Sequence, residues 1–213
     1  MKHCLQDKKL FVLDLDGTFY LDGKPFPGAL DFLKRVRETG RDYLFFTNNS
    51  STSTQKYVEK LRKMGISTTE NDIATSADVM IDFLKRERPG KSVYLCATGE
   101  TYAQFQQEGI LLTESSPEIV VLTFDKELTY HKMERVCTFV RQGAEYFCTH
   151  PDENCPTADG PIPDCGSFTA MIAVSTGGAY PRYVGKPYRE TIEMVKHKKK
   201  VREEEIVFVG DRL

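Results

Sequence analysis

Residues 10–20, LFVLDLDGTFY, decide the fold. Four apolar residues, Leu10, Phe11, Val12 and Leu13, stop abruptly at Asp14, and Asp16, Gly17 and Thr18 follow. A short apolar run closed by turn residues reads as a buried strand. Strands that are apolar on both faces belong to parallel sheets covered on both sides. In such sheets ligands bind just beyond the carboxyl ends of the strands, which puts Asp14 and Asp16 where chemistry is expected. Two carboxylates this close repel unless a cation or a proton intervenes. A hard divalent cation such as Mg²⁺ suits them, because it prefers oxygen donors and keeps several waters. Gly17 lets the chain turn sharply without a Cβ clash. The competing reading of the same residues is a pair of loop aspartates that cap a helix.

The rest of the chain bounds the problem. Its 213 residues allow one large domain or two small ones, and a net charge of −2 offers no basic surface for nucleic acid. Residues 196–200, KHKKK, read as a solvated helix end. No apolar run is long enough to span a bilayer, and the opening MKHCLQDKK lacks the apolar core of a signal peptide. A cytoplasmic protein is therefore expected. The six cysteines form no CxxC pair. Cys96 and Cys137 lie in apolar segments and read as buried thiols. Cys148, His150, Cys155 and Cys165 are spaced too irregularly for a zinc framework, and reduced thiols are the preferred account.

Taken in order, Asp22 and Gly23 suggest a tight hairpin, and 28–39 a helix ended by Gly40. A second buried strand, 43–46, runs into Thr47, Asn48, Asn49, Ser50 and Ser51, which either cap a helix or donate to phosphate oxygens. A helix over 55–64 and a short strand over 72–75 follow. From Ser76 helices and strands alternate again: helices over 76–88, 99–107 and 129–141, strands over 93–96, 119–124 and 146–149. Residues 149–167, with four prolines and two glycines, read as a long irregular loop leading to a helix near Ser167. His150, Asp152 and Asn154 in that loop are candidate substrate contacts. Lys186 of YVGKP stands before a helix that Pro187 can start, and a last strand, 205–209, ends in GDRL.

Four of these stretches, DLDGT, TNNSS, GKP and GDRL, occur in the order that resembles the haloacid dehalogenase-like phosphatases, in the branch of NagD and the 4-nitrophenylphosphatases. The resemblance implies a Rossmann-like α/β core with a parallel sheet, formed by 1–76 and 179–213, and an inserted α/β cap, 77–178. It implies Asp14 as the nucleophile that forms an aspartyl phosphate and Asp16 as the acid and base. Thr47, Asn48 and Lys186 would bind the phosphate. Asp14, Asp16 through its carbonyl, and Asp211 would hold Mg²⁺. The cap loop would select the leaving group of a small phosphorylated metabolite, although His150 stands where an asparagine is usual. Related caps mediate dimers, so a homo-oligomer is compatible with the resemblance.

The chain ends where relatives continue with a further acidic residue, a helix and a strand. A core cut short, with strand 205–209 as an exposed edge, is therefore expected. The competing functions are a phospho-acceptor module without turnover and an inactive fragment that only binds. Asp16 argues against the first, since a second acid beside the acyl phosphate promotes its breakdown.

Overall fold

The computed structural model describes residues 5–21, 23–157 and 159–211. Expectations that fall on Cys4, Asp22, Arg212 and Leu213 lie outside these. Contacts divide the chain into two units, one of Met1–Thr47, Thr54–Thr75 and Ile192–Leu213, the other of Asn48–Ser53 and Ser76–Thr191.

The first unit opens with β1 (Leu10–Asp14), the hairpin β2 (Tyr20–Leu21) and β3 (Lys24–Pro25), α1 (Ala29–Glu38), β4 (Asp42–Thr47), α2 (Thr54–Lys63) and β5 (Ile73–Thr75). The second contains α3 (Ser76–Glu87), β6 (Val93–Cys96), α4 (Gly99–Gln107), β7 (Ile119–Leu122), α5 (Tyr130–Arg141), β8 (Glu145–Cys148), β9 (Asn154–Cys155), β10 (Ile162–Pro163), α6 (Cys165–Thr176) and β11 (Arg182–Tyr183). Helix α7 (Arg189–Lys199) returns the chain to the first unit, where β12 (Ile206–Val209) ends it.

Each unit is built on a four-stranded parallel sheet, in the orders β12-β1-β4-β5 and β11-β8-β7-β6. The α/β class expected from the sequence is the one observed. Strands β6 and β7 and the first four residues of β1 are buried throughout, as continuous apolar runs in a two-faced sheet require. In the first unit Phe11, Leu13, Phe19, Phe45, Tyr57 and Leu61 share one core, with Phe19 edge-on to Phe45 at 4.8 Å between ring centroids. In the second, Cys96, Val120, Leu122, Phe124, Val136 and Ile172 do the same. Burial holds the thiols of Cys96 and Cys165 protonated, well above the ordinary cysteine range, with Asp125 and Cys148 respectively adding to the shift.

Three sequence expectations change. The loop after β8 is not wholly irregular, because β9 and β10 pair antiparallel within it. Helix α7 starts at Arg189, so Pro187 precedes it and does not open it. The basic end of α7 is not uniformly solvated, since Lys199 is nearly buried. Its Nζ lies 2.9 Å from Asp42 and 3.5 Å from Asp72, while Arg37 binds the same two carboxylates at 2.6 and 3.0 Å. Among the described residues no helix is long and apolar enough to cross a membrane.

That four-membered network links α1, β4, α7 and the turn before β5. Burial by itself would raise the Asp72 pKa. Two hydrogen bonds from Thr69, at 3.0 and 2.9 Å, and the charges of Lys199 and Arg37 outweigh it and hold the carboxyl below its ordinary value. A depressed carboxyl contributes its full stability above the unfolded-state pKa of about 3.9 and loses it as pH falls through the lower folded value. Asp72→Asn is expected to destabilise the chain in urea unfolding at pH 7. The gap to wild type should close as the pH is lowered below about 4, and a gap that stays constant with pH would contradict this account.

Candidate active site

The carboxyl end of β1 is set by its neighbours. Leu13 pairs with Val209 of β12, and Asp14 with Phe46 of β4. Beyond it the chain turns sharply. The N–H groups of Phe19 and Tyr20 both donate to the Leu15 carbonyl, and that of Gly17 to the Tyr20 carbonyl. Gly17 has φ +82°, and a Cβ there would stand 3.0 Å from the Asp211 carboxylate. Thr18 Oγ1 donates to Asp211 Oδ1 at 3.4 Å across 193 residues of sequence. The structure thus brings Asp211, two residues beyond the end of β12, onto the DLDGT turn. Thr47, buried at the end of β4, pairs with Thr75 of β5.

Asp16 is half-exposed and faces two groups that the sequence reading missed. Lys60 of α2 approaches it at 3.9 Å and donates to the Tyr20 hydroxyl at 2.7 Å. Lys60 Nζ also sits 4.3 Å from the Tyr20 ring centroid, a cation over an aromatic face. Burial, then the Asp16 charge and its hydrogen bond, keep the Tyr20 phenol protonated far above its ordinary pKa. Tyr20 lies in the opening stretch, but Lys60 carries no sequence signal beyond its place on a helix whose apolar face points inward.

The donors of the first unit, carboxylates and backbone carbonyls, are all oxygen, the chemistry a hard divalent cation takes. Among the described residues, the one His, Cys, Asp and Glu group with all ligand atoms within 4.8 Å of one another is His150, Asp164 and Cys165, in the second unit. Asp14, Asp16 and Asp211 do not form such a group. Cys155 does not belong to the His150 group.

In the second unit Asn48 and Lys186 are brought together. The Lys186 N–H donates to Asn48 Oδ1 at 3.0 Å, and Asn48 Nδ2 donates to the Lys186 carbonyl at 3.2 Å and to Asp152 Oδ2 at 3.4 Å. The Asn48 amide therefore grips the backbone of Lys186. Gly185 makes this approach possible, since a Cβ there would collide with the Thr149 carbonyl oxygen and lie 2.9 Å from Asn48 Oδ1. Asn154 is exposed in the β9–β10 hairpin. His150 is placed inside the unit, not on its surface. It is fully buried, with Nε2 2.9 Å from Asp164 and Nδ1 near the Thr149 and Ser76 hydroxyls. Its ring nitrogens are occupied by protein, which corrects the expectation of a substrate contact at this residue.

Comparison with known proteins identifies the family. Residues 11–111 match the family described as haloacid dehalogenase-like hydrolase. An acid sugar phosphatase of Staphylococcus aureus (strain USA300) is 33% identical over 193 residues, which cover 90% of this chain and 73% of that protein. The crystal structure of a 4-nitrophenylphosphatase from Thermotoga maritima superposes with a TM-score of 0.93 at 40% identity, covering 98% of this chain and 80% of that one. A structure described as a NagD protein gives 0.95 at 40% identity, covering 99% and 83%.

Gly185→Ala is expected to lower stability by about 1–3 kcal/mol, because the methyl group has only backbone and the Asn48 amide to displace. Thermal unfolding followed by circular dichroism measures this. An unchanged melting temperature would show that the Gly185–Asn48 approach is looser than described.

Proposed function

This chain belongs to the haloacid dehalogenase-like hydrolases, and we propose that it is a Mg²⁺-dependent phosphatase that hydrolyses small phosphate monoesters through an aspartyl phosphate. The observation that carries the reading is Asp211 laid against Gly17 and Thr18, which joins the first and last motif stretches at one end of one parallel sheet.

Asp14 attacks phosphorus with a carboxylate oxygen while the bond to the leaving oxygen breaks, and Asp16 gives its proton to that oxygen. Asp16, now a carboxylate, takes a proton from water. The water oxygen bonds to phosphorus, and the bond to Asp14 breaks to release inorganic phosphate. Bound Mg²⁺ would neutralise charge on the transferring group, held by the carboxylates of Asp14 and Asp211 and the Asp16 carbonyl. Thr47 and Lys186 serve as phosphate ligands, with Asn48 fixing the Lys186 backbone. Residues 77–178 serve as the cap, and Asp152 and Asn154 contribute to the choice of leaving group. Sugar phosphates and 4-nitrophenyl phosphate are the proposed substrate class, supported by the names of the relatives. The free cysteines Cys96, Cys137, Cys148, Cys155 and Cys165 suit a reducing cytoplasm.

Asp14→Asn should lower kcat for 4-nitrophenyl phosphate by at least about 1000-fold without loss of fold, because the substitution removes the nucleophile. Asp211→Asn should leave a measurable rate but raise the Mg²⁺ concentration for half-maximal activity by roughly tenfold or more. Steady-state assays with a Mg²⁺ titration check both. Undiminished turnover by Asp14→Asn would refute the nucleophile, and an unshifted Mg²⁺ requirement would remove Asp211 from the metal set.

A further inference from the structure

We propose that the buried His150–Asp164 pair is a positioning device for Lys186, acting through Ser76 and Asn48. This rests on the reading of Lys186 as a phosphate ligand. His150 and Asp164 are 0% and 3% exposed. Asp164 Oδ1 accepts from His150 Nε2 at 2.9 Å and from the Cys165 N–H at 2.6 Å, so one ring nitrogen is tied to the start of α6. These hydrogen bonds satisfy the group without an ion, although His150, Asp164 and Cys165 are close enough to bind one.

The other nitrogen, Nδ1, faces Thr149 Oγ1 at 3.1 Å and Ser76 Oγ at 3.3 Å. Ser76 donates its hydroxyl proton to the Asn48 carbonyl oxygen, so the ring bears on Ser76 as a packed contact, while Thr149 Oγ1 can donate to Nδ1. Thr149 Oγ1 meets Ser50 Oγ at 3.0 Å, and Ser50 Oγ accepts from the Phe124 N–H at 2.9 Å. Every hydroxyl around Nδ1 is thus engaged on a second side, and a shift of the ring moves Ser76 against Asn48. The Asn48 side chain in turn holds both the N–H and the carbonyl of Lys186, and reaches Asp152. The chain His150–Ser76–Asn48–Lys186 has no slack, because Gly185 packs against Thr149, Asn48 and Ser76 with no room for a Cβ. In a low-dielectric interior a polar network of this kind fixes one geometry when all its members are satisfied.

A His–Asp pair that only stabilises the fold would change melting and nothing else in the folded protein. The test uses Ser76→Ala, His150→Gln, which keeps an amide near Nε2, and His150→Asn, which keeps one near Nδ1. With folding verified by circular dichroism, Ser76→Ala and His150→Gln should each lower kcat/KM for 4-nitrophenyl phosphate about tenfold, mainly through KM. His150→Asn should recover most of that loss. The double variant Ser76→Ala/His150→Gln should be no worse than its worse parent, since both substitutions cut the same link. The ¹H–¹⁵N resonance of the Lys186 amide reads the link without turnover. It should shift in Ser76→Ala and His150→Gln and return toward wild type in His150→Asn. Wild-type KM and an unmoved Lys186 resonance in Ser76→Ala would overturn the proposal whatever the His150 variants do, as would multiplicative effects in the double variant. A wild-type protein that hydrolyses no phosphate ester would refute the phosphatase reading instead, and the Lys186 resonance would still decide the positioning.

Discussion

Parallel pairing of β1 with both β4 and β12 is the constraint on which the first unit depends. A strand with two parallel neighbours must deliver their carboxyl ends to the same side, so three segments far apart in sequence finish together. Register then decides which residues meet. Leu13 opposite Val209 places Gly210 and Asp211 just past the sheet, level with the turn that follows Asp14. The absence of a Cβ at Gly17 lets the Asp211 carboxylate close on that turn. Sheet geometry does the long-range work here, and one glycine and one threonine do the local work.

The second unit solves a different problem with the same sheet type. It buries several hydroxyls, including those of Ser50, Ser76, Thr98, Thr101, Thr123 and Thr149. Buried polar groups cost stability unless they are paired. Here they pair largely with one another and with main-chain carbonyls. Thr101 Oγ1 donates to the Ser50 carbonyl at 2.7 Å, Thr98 Oγ1 to the Ser51 carbonyl at 3.1 Å, and Ser50 meets Thr149. Residues 48–53, which follow β4 in the chain, are thereby held by second-unit partners. This polar stitching ties residues 48–51 to the loop after β8 and to the segment before α7.

The apolar runs made the α/β class legible, because a strand buried on two faces cannot be written in any other residue alphabet. Helices with a regular inward stripe were also readable: α4 spans the expected 99–107, and α5 begins one residue after its Thr129 cap. The motif residues were legible by type and order. What escaped was whatever depends on partners distant in sequence. Lys199 looks like part of a solvated basic end until Asp42 and Asp72 arrive beside it. Lys60 looks like a surface residue until Asp16 and Tyr20 do. His150 sits in a loop rich in proline and charge, and only the cap of α6, Asp164, explains why the ring is pulled inside. The start of α7 was misplaced because Pro187 is a good first helical residue in principle, while here the chain needs two more residues before the helix begins.

The account stands on Asp14 becoming covalently phosphorylated during turnover. The chain mixed with 4-nitrophenyl phosphate and Mg²⁺, quenched in acid within the first turnover and mapped by peptide mass spectrometry, tests this most directly. The mass of one phosphoryl group on the peptide carrying Asp14 is the predicted result. Nitrophenol release with that peptide unmodified at every quench time would contradict it.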